Sequence, residues 1–272
     1  MLTSYNILNK AYTSIITKLV DLIPVDPRGA KDSKPIQHYL DKIFYVFDTG
    51  IPWRKLPLNE DDLHYSSYHH KFMFLVKHRI FEIAYHSVIK ILRKKRILNR
   101  NNLKHLFIDS TMIKNIYGKD SYGPNHYDRS KNGNKITIVV NHLGIPLGLS
   151  ISKSNVNDTL QVLPTIDNIS VKVAHSKLYA DKGYISSTLS KQLKEDYKII
   201  LVVPRKKNQK NYTPLTDDDK SGLKMRNIVE NFFAWFKSQR KVRLRYDAYI
   251  SSYTQFSYLA LIKIISLKYK NI

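Results

Sequence analysis

The chain contains no cysteine. Disulfide scaffolds, thiolate zinc sites and cysteine nucleophiles are therefore excluded. No apolar run reaches the roughly 18 residues of a membrane-spanning helix, and Met1–Lys10 lacks the apolar core of a signal peptide. A soluble, intracellular protein is expected. There is no glycine-rich phosphate loop ending in Gly-Lys-Ser/Thr, and no HExxH pair for zinc. His69-His70 and His126 have no partners at zinc spacing. Internal repeats and low-complexity tracts are absent. Acids are scarce: 22 Asp+Glu stand against 45 Lys+Arg, a formal net charge of +23.

What is present is a foldable, strongly basic chain. Hydrophobic residues make up 43% of its 272 positions, enough to build a core rather than a disordered basic tail. The sequence pI of about 9.9 calls for a polyanionic partner, and nucleic acid is the commonest one. The length fits one large domain or two modest ones.

Residues 1–98 read as helical. Ile36, Tyr39, Leu40, Ile43, Phe44 and Phe47 keep helical spacing up to a stop at Thr49-Gly50. A second stretch runs from about Ser66 through Phe72, Leu75, Ile80, Ile83 and Val88 into Arg93-Lys94-Lys95-Arg96. From 103 the pattern shortens. Leu103–Asp109 is an apolar run ending in an acid; Lys135–Asn141 and Ile145–Lys153 are strands joined by a turn at His142-Leu143-Gly144. Asn157 can cap a helix reaching about Asn168. Lys177–Asp181 and Lys198–Val203 read as strands, Ser186–Asp196 and Gly222–Arg240 as helices, and Tyr117–Asn134 and Arg205–Asp219 as polar loops. Ser251–Lys268 is an apolar helix. An antiparallel start followed by alternating elements gives an α/β mixed sheet with helices on both faces.

Two acids close apolar strands, Asp109 and Asp181, and a third, Glu230, lies inside a helix. Each has an ordinary reading: a turn or cap residue for the aspartates, and an Arg226–Glu230 ion pair for the glutamate. At about 100° per residue, with Arg226 as zero, Glu230 falls at about 40°, Lys237 at about 20° and Arg240 at about 320°. Ile228, Val229, Phe232, Trp235 and Phe236 fill an apolar arc from about 180° to 300°. One acid thus sits in a cationic strip. Three carboxylates from separate elements suit two hard divalent cations, Mg²⁺ or Mn²⁺, which take oxygen ligands and together promote phosphodiester chemistry. Arg93–Arg96, Arg205–Lys210 and Lys237–Arg245 are candidate contacts to a phosphate backbone. His126 and Arg129 are weaker candidates for an approach to DNA.

These pieces carry a family resemblance. Thr49 through Pro57 (TGIPWRKLP), Phe107-Ile108-Asp109-Ser110-Thr111, the strand pair across Lys135–Gly148, Asn157-Asp158, Ala180-Asp181-Lys182-Gly183-Tyr184, the block Arg226 to Arg240 around Val229-Glu230, and Arg245-Tyr246 are similar to motifs of DDE transposases of bacterial insertion sequences. The likeness is to the insertion sequence five group, within the insertion-sequence-four-like superfamily. Leu223 stands where the wider superfamily often carries a tyrosine. The resemblance implies a ribonuclease H-like catalytic core with flanking helices, with Asp109, Asp181 and Glu230 as catalytic residues and ligands of two metal ions. It implies that Arg226 and Lys237, with Arg240 and Arg54 beside them, contact DNA.

The expected organisation is a helical DNA-binding region over 1–98, a catalytic domain over 99–250 and a C-terminal helix over 251–272 packed on that core. The implied partners are double-stranded DNA, as terminal inverted repeats and as target, and a second copy of the chain in a synaptic homodimer. The implied location is the bacterial cytoplasm, associated with the nucleoid. A ribonuclease H-like nuclease without strand transfer, or an inactive transposase-derived DNA-binding protein, are the alternatives; the presence of all three acids argues against the last.

Overall fold

A computed structural model describes residues 8, 10–24, 32–125, 128–204 and 214–270. The elements are α1 (Lys10–Asp21), α2 (Ile36–Thr49), α3 (Tyr65–Lys77), α4 (Ile80–Lys94), β1 (His105–Lys114), β2 (Gly123–Asn125), β3 (Lys131–Asn141), β4 (Pro146–Lys153), α5 (Asp158–Asp167), β5 (Lys177–Tyr179), α6 (Ser187–Asp196), β6 (Ile200–Val202), α7 (Asp217–Lys224), α8 (Asn227–Ser238), α9 (Arg240–Arg243) and α10 (Ile250–Lys268). His126 and the Arg205–Lys210 cluster lie outside the described residues. No helix among the described residues is long and apolar enough to cross a membrane.

The chain divides into two units. One comprises residues 1–88, 116–120 and 236–272; the other comprises 89–115 and 121–235. The expected boundaries at 98/99 and 250/251 differ from this division: the C-terminal helix groups with the N-terminal helices. The physical cause is visible in α10, whose residues are apolar nearly all round and buried nearly all round. Phe256 stacks on Phe72 with ring centroids 4.3 Å apart, and Tyr258 meets Tyr85 at 5.3 Å. The buried Gln255 Oε1 accepts the backbone N–H groups of Phe81 (3.1 Å) and Glu82 (3.2 Å). These are orphan donors of the first turn of α4, so α10 caps a helix some 170 residues away in sequence.

The other unit is built on a six-stranded mixed sheet ordered β2-β3-β1-β5-β6, with β4 also paired to β3. β1, β2 and β4 run antiparallel to β3. β5 is parallel to β1, and β6 to β5. The sheet follows the expected element order and is a mixed sheet with flanking helices. α5 packs over β4 so closely that a Cβ on Gly148 would lie 2.3 Å from the Thr165 carbonyl oxygen. α7 lies on the opposite face: a Cβ on Gly222 would lie 2.2 Å from the Tyr179 ring.

Several expectations need correction. The helix expected from Ser66 to Arg96 is two helices, broken at Arg79, which adopts φ +51° although no glycine or proline marks the break. The helix expected over Gly222–Arg240 is three: α7, α8 and α9. The polar Tyr117–Asn134 stretch contains β2 and the start of β3. On α8, Val229, Phe232, Phe233 and Phe236 are buried whereas Trp235 is 56% exposed. The buried arc is therefore rotated toward the Arg226–Glu230 strip.

Candidate active site

The register of β1 and β5 decides where the two aspartates meet. Their last parallel pair is Phe107 with Tyr179. The two rings stack at 5.3 Å, and His105 extends the stack below. Asp109 stands two residues beyond Phe107, on the same face of the strand because side chains alternate. Asp181 stands two residues beyond Tyr179. Both carboxylates thus emerge where the parallel pairing ends. β1 itself continues to Lys114, paired with β3, so Asp109 lies within a strand and not at its end.

Asp181 is held by its own turn. It caps the short 3-10 turn Lys182–Tyr184 and accepts the Gly183 N–H at 2.6 Å. A Cβ on Gly183 would sit 2.9 Å from the same carboxylate oxygen. Tyr184 is buried, and its hydroxyl shares a hydrogen bond with Ser110 Oγ (2.8 Å), which in turn meets Thr137 Oγ1 (2.8 Å). Burial holds the Tyr184 phenol well above its ordinary pKa, so it stays neutral and able to donate. This hydroxyl chain ties the turn after Asp181 to the residue after Asp109 and to β3. It was not legible in the sequence, although Ser110 and Tyr184 both belong to the quoted motifs.

The third acid, Glu230, occupies the first turn of α8 and is exposed. The three charges converge electrostatically at Asp109. Its carboxyl is held above the ordinary carboxylate range, first by burial, then by the negative charges of Asp181 and Glu230; the Ser110 N–H and the Arg226 guanidinium oppose the rise. Arg226 Nη2 lies 3.7 Å from Asp109 Oδ2. The Arg226–Glu230 pair expected as the ordinary reading is not among the ion pairs of the described residues; Arg226 faces Asp109 instead. Its Nε is buried without a hydrogen-bond partner among the described residues. Gly222 is what lets α7 settle on Tyr179 and so brings Arg226, four residues on, to β1.

Asp217–Asp219 are engaged elsewhere. Lys177 Nζ holds Asp218 at 2.7 Å and Asp219 at 2.6 Å, and Asp219 completes a capping box with Thr216.

The remaining expected DNA contacts lie in the helical unit. Lys237 is half-buried in the last turn of α8, and burial lowers its ammonium below the usual lysine value. Arg240 and Arg54 are exposed. Two members of the Lys237–Arg245 cluster are corrected from backbone contacts to structural residues. Lys241 pairs with Asp247 at 3.1 Å, both largely buried. Arg245 is fully buried and donates to the Asp120 carboxylate, to the Asp120 carbonyl (2.7 Å) and to the Ala248 carbonyl (3.1 Å). The Thr49–Pro57 motif is also largely structural. Gly50 ends α2 at φ +70°, and a Cβ there would lie 3.1 Å from Arg240 Cβ. Trp53 packs on Phe72.

Among the described residues no group of three or more His, Asp or Glu side chains is placed so that it could hold a metal ion. The chemistry of the candidates is nonetheless that of ligands for a hard divalent cation. All candidates are carboxylates, one is part-buried and destabilised by its two neighbours, and such cations keep several waters and need few protein ligands.

Comparison with known proteins places this geometry. Residues 100–263 match the family of transposase DDE domains, a span that includes all three acids. A stretch of 140 residues is 32% identical to a protein assigned as transposase for insertion sequence element IS402 of Burkholderia cepacia. That match covers 48% of this chain and 62% of the relative, so this chain spans less than two thirds of it. Among solved structures, the piggyBac transposase synaptic complex with hairpin DNA aligns with a TM-score of 0.49 and 11% identity, covering 98% of this chain and 72% of that one.

Proposed function

We propose, for a chain that belongs to the transposase DDE domain family, that it cuts duplex DNA at the ends of an insertion sequence and joins the freed ends to target DNA. The observation that carries the proposal is the placement of Asp109 and Asp181 two residues beyond the last parallel pair of β1 and β5, with the Arg226 guanidinium 3.7 Å from Asp109.

Members of this family generally work with divalent metals. Asp109, Asp181 and Glu230 are the residues that would hold two such ions, Mg²⁺ or Mn²⁺. When bound, the ions would supply Lewis-acid polarisation of a phosphoryl oxygen and a lowered pKa for the attacking hydroxyl. In the first step water attacks the phosphodiester in line, a P–O bond forms, and the opposite P–O bond breaks to leave a 3′-hydroxyl. In the second, that hydroxyl attacks a target phosphodiester in the same way, exchanging one P–O bond for another. No nucleotide cofactor is needed.

The chain's own residues orient these steps. Arg226, whose guanidinium is part-exposed beside Asp109, donates to a non-bridging oxygen of the reacting phosphate, a charge-assisted bond. The Ser110–Tyr184–Thr137 hydroxyl chain holds both aspartates in position. Lys237, Arg240 and Arg54 contact the flanking backbone, with the helical region docking the terminal repeats. Joining two ends calls for two copies of the chain, so a homodimer forms on DNA.

The test is incubation of the purified chain with duplexes carrying the element's ends, a supercoiled target and Mg²⁺ or Mn²⁺. Cut ends covalently joined to target are the expected products. Cutting without joining in both metals would overturn strand transfer and leave a nuclease.

A further inference from the structure

A second basic site lies in the sheet unit, away from the carboxylates. A half-open cavity of about 490 Å³ is lined by Arg93, Arg100, Lys104, Lys172 and His175, with only neutral residues completing the wall. Its volume is that of a ligand site rather than of a gap between side chains. Lys104 immediately precedes β1, and Ser176, also in the lining, immediately precedes β5. The cavity thus opens at the amino ends of the two parallel strands β1 and β5, and Asp109 and Asp181 stand beyond the far end of their parallel pairing. Five residues separate Lys104 from Asp109, about 17 Å along a strand.

Two observations set this cluster apart from a solvated surface. First, none of its four permanent cations is paired with a carboxylate among the ion pairs of the described residues; Asp218, the acid that feels Lys104, is taken by Lys177 at 2.7 Å. Second, its walls are fixed. His175 is held at φ +66°, a region non-glycine residues rarely adopt, by its N–H to the Lys198 carbonyl at 2.7 Å and by Ser176 Oγ to the Val173 carbonyl at 2.6 Å. Arg93 Nη1 is anchored on the Leu98 carbonyl at 2.6 Å, which leaves most of its guanidinium donors facing outward.

We propose that this cavity binds the phosphodiester backbone of a second DNA segment, distinct from the one whose phosphate is cut. Four cations from three chain segments, one of them anchored, match a run of phosphates, which the +23 chain otherwise meets with scattered charge. The assignment to DNA rests on the DNA-recombining reading above; the cationic pocket by itself selects only for phosphate oxygens.

The experiment uses the full chain and the variant Arg100→Gln/Lys104→Gln/Lys172→Gln, all exposed positions outside the carboxylate site. Binding to a labelled random-sequence duplex is followed by fluorescence anisotropy from 50 to 200 mM KCl, with tripolyphosphate as a competing free anion. Cleavage and joining are assayed in parallel. The expected result is a salt slope smaller by about 2.7, at about 0.9 per phosphate contact, with end cleavage kept and joining reduced at least tenfold. An unchanged slope overturns the site. Equal losses of cleavage and joining overturn the second segment, since the contact would then be on the cut duplex. Displacement of wild type but not variant from DNA by micromolar tripolyphosphate would make free phosphates the ligand and overturn the DNA assignment. If wild type cuts nothing, the functional reading fails while the slope still decides the site.

Discussion

Asp109→Asn is expected to stabilise the metal-free protein while abolishing cleavage. The side chain is 23% exposed and its carboxyl is raised above the ordinary range by burial and by Asp181 and Glu230. Arg226, at 3.7 Å, works the other way. Its attraction is about 1.1 kcal/mol at the dielectric of water and about 4.5 kcal/mol at an effective dielectric of 20; a part-exposed pair lies toward the lower figure. The net rise means that burial and repulsion outweigh it. A carboxyl whose folded pKa is raised binds more protons folded than unfolded, so stability falls as pH rises through the folded pKa. The benefit is complete below the unfolded pKa and is lost as pH rises through the raised folded pKa. Asparagine removes the penalty and can still accept the Ser110 N–H. The gain should be about 0.5–2 kcal/mol, in the range of other charge-relief substitutions, or a Tm rise of ~1–8 °C at this size.

The assay is differential scanning fluorimetry at pH 5 and pH 7.5, with and without Mg²⁺. Asp109→Asn should melt above wild type at pH 7.5, by a smaller margin at pH 5, and should lose the Mg²⁺-dependent rise that wild type shows, about 2.7 kcal/mol at one hundred times Kd. A variant that melts lower than wild type at pH 7.5, or that gains as much from Mg²⁺, would refute the reasoning.

Three other substitutions probe the scaffold. Gln255→Leu orphans the buried Phe81 and Glu82 amides and should cost about 2–4 kcal/mol, at about 1–3 per unsatisfied group, read as a lowered urea midpoint. Gly222→Ala places a Cβ 2.2 Å from the Tyr179 ring; overpacking of about 1–3 kcal/mol should appear in the same titration, together with a cleavage loss because α7 moves Arg226. Tyr184→Phe removes the hydroxyl joined to Ser110 at 2.8 Å; a stability loss of about 1 kcal/mol should accompany a larger loss of kcat than of DNA affinity.

Much of the fold was legible because it is written locally. The β-branched runs, the Gly144 turn, the Asn157 and Ser186 caps and the Gly50 stop all appear where the residues place them. Asp109 and Asp181 stood out because short apolar runs precede them, and the register of β1 and β5 puts both two residues beyond the last parallel pair. What escaped depends on tertiary contact. Nothing local marks Arg79 as a helix break, since only packing enforces its left-handed backbone. A helical projection puts Trp235 at about 180° and Phe233 at about 340°, on opposite flanks of the central apolar residues, and only tertiary packing decides that the Phe233 flank is the buried one. Arg245 and Lys241 read as surface cations until burial and the Asp120 and Asp247 partners are seen. Gln255 caps a helix far away in sequence. The Arg226 partner was misread for the same reason: helix spacing favours Glu230, but the close seat of Gly222 brings the guanidinium to Asp109.

The central claim is that Asp109, Asp181 and Glu230 form one catalytic site. Single-turnover cleavage of an end duplex by Asp109→Ala, Asp181→Ala and Glu230→Ala, each matched for DNA affinity, tests it most directly. The account predicts that all three bind DNA as wild type does and that each loses cleavage by at least a hundredfold in Mg²⁺. Wild-type cleavage by Glu230→Ala would contradict it.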